Sequence, residues 1–249
     1  MAKDEKIENA PSPAEHSRVY RWLDNVWYHY KWVILITLFF ALVLIVCLVQ
    51  CVSREKTDLT VSFAGAATLT EAEQNAFGAA LEAVMPEDFD KDGTKAVTLV
   101  TNAVFTTEQI REMYSYTDEA TGEKRVDSAS YNGAMNYNNQ RLENISNYLM
   151  TGSCAVWIVS PYVYEQANMS KLAVKLSDVY ETVPDAAYDD YAVRLSKTGF
   201  YRYFDAVKNT IPDDTLIVLI HVVVGETAKQ EYYKNSEALF KAIVAFEAP

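Results

Sequence analysis

The chain has 249 residues, half of them apolar or aromatic, which suffices to bury a sizeable core and excludes a disordered protein. Its 34 acidic against 22 basic residues give a net charge of −12, the wrong sign for gripping a phosphate backbone, so no nucleic acid partner is expected. Three cysteines, at 47, 51 and 154, are too few and too clustered for a disulfide framework, and no internal repeat is present.

Residues 1–17, with two prolines and charges of both signs, read as a flexible tail. Residues 18–32, RVYRWLDNVWYHYKW, place Val19, Trp22, Leu23, Val26, Trp27 and Tyr30 at helical spacing, with Arg18, Arg21, Asp24, Asn25 and His29 largely opposite. Two readings fit: an amphipathic interfacial helix with an aromatic belt, or a docking face for a partner membrane protein. No Asp, Glu, Lys or Arg occurs between Lys31 and Arg54, and Trp32 to Val49 reads WVILITLFFALVLIVCLV. At about 1.5 Å per residue such a run crosses a hydrocarbon core of roughly 30 Å. Residues 32–52 are therefore expected to form a transmembrane helix. The 31 residues ahead of it are too many for the n-region of a cleaved signal peptide, so the span is expected to be retained. Lys3, Lys6, Arg18, Arg21 and Lys31 precede it and Arg54 and Lys56 closely follow it, which predicts a cytoplasmic N-terminus, residues 1–31, and an extracellular C-terminal domain. The five acids ahead of the span balance those five basic residues, so the whole −12 falls on the chain beyond the span.

After a linker at residues 53–57, residues 58–249 alternate strand and helix signals. Leu59 to Phe63 predicts a strand, and Thr70 with Glu73 predicts a capped helix burying Phe77, Ala80, Leu81 and Val84. Pro86 and the Asp92-Gly93 turn end that helix before a second strand, Ala96 to Thr101. Residues 106–139 are polar and weakly periodic, with a hairpin predicted between Met113–Thr117 and Lys124–Asp127. Leu142, Ile145 and Leu149 mark a helix stopping at Gly152, and Cys154 to Val159 (CAVWIV) a buried strand ended by Ser160-Pro161. A short helix at Val163 to Asn168, an irregular acidic stretch to Asp190, a strand at Tyr191 to Leu195 and a helix at Phe200 to Lys208 follow. Leu216 to Val224 (LIVLIHVVV) predicts the most deeply buried strand, and Thr227 with Gln230 caps a last helix burying Tyr232, Leu239, Phe240, Ile243 and Val244. The fold class expected is α/β, a mostly parallel sheet with helices on both faces, preceded by one transmembrane helix.

Three segments carry a resemblance: WYHYKW entering the span, DFDKDGTKAVTLV leading into the second strand, and RLENISNYLMTGSCAVWIVSPYVYEQ. On these the chain is similar to extracytoplasmic solute-binding proteins, and more specifically to uncharacterised single-pass membrane proteins of Gram-positive bacteria whose outer domain looks like them. The similarity runs over about residues 58–246, as one lobe or a reduced pair of lobes. Solute-binding proteins usually have Asp where this chain has Ser153 and Val156. The resemblance implies a domain that binds a small solute or peptide without acting on it.

In an open α/β sheet, ligands sit beyond the carboxyl ends of the strands where the strand order reverses. The turns after the first three strands accordingly supply the ligand-binding candidates Ala66, Thr68, Asn102, Ser160 and Tyr162. Asp88, Asp90 and Asp92, followed by Gly93 and Thr94, reproduce the first half of a calcium loop, while position 12 is Leu99 and not the bidentate Glu. The turn is either a weak calcium site or a solvated acidic turn. For catalysis, His221 is the one imidazole on the outer side, and inside an apolar strand it is expected to be a satisfied core histidine. Cys154 is expected to be a small buried hydrophobe, the pairs Asp189-Asp190 and Asp213-Asp214 to be solvated, and no phosphate loop occurs. Fourteen of the seventeen tyrosines lie beyond the span, as a recognition surface or as half-buried packing.

The expected protein is a membrane-anchored extracytoplasmic binding or sensing domain, not an enzyme, with no cofactor beyond calcium. Its expected partners are the lipid bilayer and a small solute or peptide. The alternative is a partner-binding subunit of a membrane protein assembly, with no small-molecule ligand.

Overall fold

Neither proline nor glycine occurs between residues 18 and 52, so nothing there interrupts a helical backbone. In the computed structural model, which describes residues 18–52, 57–221 and 227–248, this stretch is one helix, α1 (Arg18–Val52). Within its segment Val26–Val49 an 18-residue window reaches a mean hydropathy of 3.2 with none of it buried, and the segment is long and apolar enough to cross a membrane. The juxtamembrane residues 18–31 form the first turns of this same helix, because no breaker separates them from the apolar run. The chain divides into two compact units at Glu55/Lys56.

The second unit runs β1 (Leu59–Gly65), α2 (Glu71–Val84), β2 (Val97–Ala103), α3 (Thr107–Met113), β3 (Ser115–Thr117), β4 (Lys124–Val126), α4 (Ser128–Thr151), β5 (Val156–Val159) and α5 (Pro161–Gln166). It continues through α6 (Leu176–Val179), β6 (Ala192–Arg194), α7 (Gly199–Tyr203), α8 (Asp205–Lys208), β7 (Leu216–Leu219) and α9 (Thr227–Val244). Five strands form one sheet in the order β2-β1-β5-β7-β6, and β3 pairs with β4 as the expected hairpin. The sheet is mixed: β1 pairs parallel with β2 and β5, whereas β7 pairs antiparallel with β5 and β6. The expectation of a mostly parallel sheet thus holds around β1 and gives way at β7.

Alternation along the strands divides the core between two faces. Val61, Phe63, Val156, Ile158, Ile217 and Leu219 pack with Phe77 and Leu81 of α2, Phe200 of α7 and Leu239, Phe240 and Ile243 of α9. Ala64, Trp157, Val159, Leu216 and Val218 pack with Ile145 and Leu149 of α4 and Val163 and Tyr164 of α5. Local chemistry fixes the ends of these elements. Thr70 and Glu73 form a reciprocal capping box at α2, Asp127 caps α4 through the Ala129 and Ser130 N–H groups, and Gly152 ends α4 with φ 64°, where its missing Cβ costs nothing.

Helices α3 and α6 form where no helix is expected, and three further elements differ from expectation. α4 begins fourteen residues ahead of Leu142, at Ser128, because Asp127 caps it there and its first half is largely exposed, so no apolar period marks it. The helix expected over Phe200–Lys208 is two, divided where Phe204 turns extended (φ −92°, ψ 103°) and packs its ring 5.1 Å from Phe200 and 5.6 Å from Phe246. β7 ends at Leu219, and residues 222–224 of the expected strand lie outside the described residues. His221 is exposed, not a core histidine, with its ring stacked on Tyr233 at 6.1 Å. The expected cap at Thr227 also falls beyond description, since α9 starts at that residue and its side chain is not described.

Candidate functional site

At the carboxyl ends of the parallel strands the chain departs in opposite directions: β1 leads to α2 on one face, and β5 leads to α5 on the other. The residues expected there are mostly occupied in holding the structure. The Ser160 N–H donates to the Ala64 carbonyl at 2.9 Å, and its hydroxyl caps α5 by accepting from the Val163 N–H at 3.3 Å. Asn102 lies within β2 opposite Ala64, Ala66 is half-buried, and Tyr162 packs against the core on the α4 and α5 face. Thr68 is exposed, and it alone of the five lines a cavity of about 220 Å³ beyond the end of β2.

That cavity lies between the exit of β2, with Ala103 at the strand's end and Phe105 just beyond it, the α3 end with Ile110, Met113 and Tyr114, and one side of α4 with Ala134, Tyr137, Asn138 and Arg141. Positions 134, 137, 138 and 141 are three or four apart, so one helical stripe faces it. Two polar side chains shape its wall. Asn138, only 4% exposed, accepts from the Phe105 N–H at 2.9 Å and donates to the Phe105 carbonyl at 3.0 Å, tying α4 to the strand exit. The Arg141 guanidinium donates to the Ala103 carbonyl and, at 2.9 Å, to the Tyr137 hydroxyl, and its carbon sits 4.4 Å from the centre of the Tyr137 ring. Both acceptors are neutral, and among the described residues Arg141 forms no ion pair. Asn138 falls in the polar stretch without periodicity, and Arg141 lies just ahead of Leu142, Ile145 and Leu149, the apolar positions that mark the helix, so neither stood out in the sequence.

No side chain lining this cavity is a Ser, Cys, His, Asp, Glu or Lys, so none supplies a paired nucleophile and base. Cys154 is buried with Sγ 3.1 Å from the Thr60 and Val156 carbonyls, and burial pushes its thiol up to about 12, far from a reactive thiolate. The two carboxylate pairs are not simply solvated. Asp189 accepts from the Tyr164 hydroxyl at 2.8 Å and from the Tyr191 and Ala192 N–H groups, and Asp213 accepts from the Tyr201 hydroxyl at 2.5 Å. Each has structural partners, and burial together with the neighbouring carboxylate holds the Tyr164 hydroxyl above its usual range.

In the acidic turn Asp88 and Asp90 converge with a third carboxylate from outside the loop, Asp58. Asp58, Asp88 and Asp90 each bring one carboxylate oxygen within 4.8 Å of the others, a separation that an ion 2.3–2.6 Å from each oxygen spans. Asp92 instead accepts from the Thr94 N–H and hydroxyl. Asp58 arrives from the entry to β1, 30 residues ahead of Asp88, and also accepts from the Asp90 and Ala96 N–H groups. Three oxygens are at most half of the six to eight that calcium takes, and Leu99, at position 12 of the loop, lies in β2.

Comparison of the chain with family models, with curated proteins and with solved structures gave no match in any of the three.

Proposed function

We propose that this is a single-pass cell-membrane protein that holds a non-catalytic solute-binding domain outside the cell and takes a small organic molecule into the cavity between β2, α3 and α4. The observation that carries this reading is the cavity itself: a concave, mainly apolar site with a half-buried, carboxylate-free guanidinium and a fixed amide on its wall. Exposed Met113, Tyr114 and Tyr137 line it, so apolar surface is offered to a ligand there. The apolar α1 and the five basic residues before its span support anchoring with the N-terminus in the cytoplasm. The resemblance to solute-binding proteins supports binding without turnover.

The test is thermal unfolding of the full chain in lipid nanodiscs against amino acids, organic acids, sugars and short peptides. A ligand at 100 times its Kd adds about 2.7 kcal/mol, a rise of roughly 5–11 °C for a chain of this size. Ala134→Trp fills the cavity and is expected to remove the shift. A shift that survives Ala134→Trp, or a panel with no shift at all, overturns the reading, and the flat panel moves the role to a partner-binding subunit.

A further inference from the structure

Resting on the reading of the β2–α3–α4 cavity as a ligand site, we infer that its ligand is a small monocarboxylate with an apolar body, held by a carboxylate-to-guanidinium pair at Arg141. The chain carries 34 acidic side chains against 22 basic ones, yet no carboxylate among the described residues meets this guanidinium. A guanidinium has five N–H donors, and the bonds from Arg141 go to two neutral oxygens, the Ala103 carbonyl and the Tyr137 hydroxyl. Those two bonds and the Tyr137 ring at 4.4 Å fix the plane of the fork before any ligand arrives. A planar, positioned fork is the geometry that binds a carboxylate through two parallel hydrogen bonds, and a half-buried charge is stabilised by gaining an opposite one.

The rest of the cavity sets the remainder of the molecule. Phe105, Ile110 and Met113 offer carbon surface, and the Asn138 amide spends both of its ends on Phe105. Few polar groups are left to satisfy a polyhydroxylated ligand, which counts against a sugar. The volume, about 220 Å³, exceeds the roughly 150 Å³ that accommodates benzene, leaving room for one ring with a short acid arm.

The experiment titrates the full chain in phosphatidylcholine nanodiscs with phenylacetate, and in parallel with phenylacetamide, its neutral counterpart of nearly equal shape. Phenylacetate is expected to bind at least about tenfold more tightly, since hydrogen bonds to a charged group outweigh neutral ones. Arg141→Met is expected to abolish that preference and Arg141→Lys to retain part of it. The acid-to-amide comparison in the unmodified chain needs no variant, so a misfolded variant leaves the test intact. Equal affinity for acid and amide, both lost on Ala134→Trp, overturns the carboxylate inference while the cavity stands as a ligand site. Binding of neither probe, in a chain that binds other compounds of the panel through the cavity, also overturns it, and a flat panel overturns both.

Discussion

Asn138 is the point at which the candidate site and the stability of the fold meet. Replacing it with Ala strands two backbone groups of Phe105, an N–H bonded at 2.9 Å and a carbonyl at 3.0 Å, at a side chain that is 4% exposed. Each unsatisfied group costs about 1–3 kcal/mol, and water entering from the adjoining cavity lowers the sum to roughly 2–4 kcal/mol. Against a total stability of about 5–15 kcal/mol that is a large loss. Urea unfolding of the full chain, followed by the fluorescence of the buried Trp157, measures it. Asn138→Leu separates the causes, because it keeps the volume and removes the bonds. The expectation is that Leu is at least as damaging as Ala and that both weaken ligand binding through the displaced Phe105 wall. A Leu variant within about 0.5 kcal/mol of the parent refutes the hydrogen-bond account and makes Asn138 a space-filling residue.

Gly199→Ala drives a Cβ into the Phe246 carbonyl oxygen, so the C-terminal segment must move and its aromatic packing on Tyr203 and Phe204 loosens; a loss of about 1–3 kcal/mol in urea unfolding is expected. Desolvation and the charges of Asp92, Asp58 and Asp88 outweigh the bond from the Asp92 N–H and hold the Asp90 carboxyl above its usual range. Its folded pKa exceeds its unfolded one, so ionisation costs the folded state nothing below the unfolded pKa and progressively more as pH rises through the folded one. Asp90→Asn is therefore expected to melt higher than the parent at neutral pH and level with it in acid, and millimolar calcium to reverse the neutral-pH order if Asp58, Asp88 and Asp90 hold the ion. Membrane-impermeant maleimide applied to intact cells is expected to label Thr121→Cys and not Lys3→Cys; the opposite pattern inverts the proposed orientation.

Much of the second unit was legible because burial imposes periodicity. The α2 face Phe77, Ala80, Leu81 and Val84 and the α9 residues Leu239, Phe240 and Ile243 are buried, and both the Thr70 box and the Gly152 stop lie where their side-chain chemistry places them. The segment that builds the cavity was illegible for the converse reason. Over residues 107–141 only Ile110 and Asn138 are buried, so hydropathy carries no period there. The Thr106–Gln109 capping box, with the Gln109 N–H 3.2 Å from the Thr106 hydroxyl and the Thr106 N–H 2.8 Å from the Gln109 side chain, was the readable signal for α3, and Asp127 was the one for α4. Asp58 joined Asp88 and Asp90 through chain topology, which no local motif encodes.

That same scarcity of burial explains how the site is held. A wall secured by apolar packing on both sides would leave no room for a ligand, whereas α3 and the first half of α4 contribute one buried apolar side chain, Ile110, and are tied to the sheet by polar bonds from Asn138 and Arg141 to the carbonyls and N–H just beyond β2. Such a segment opens locally at a lower free energy than the core under β1 and β5, whose residues are closed in from both faces. A ligand that fills the space between Phe105 and Arg141 adds contacts that this segment alone lacks. If the cavity takes a ligand as proposed, binding is expected to stabilise α3 and α4 far more than the sheet, which would give the domain distinct free and occupied surfaces on a rigid base.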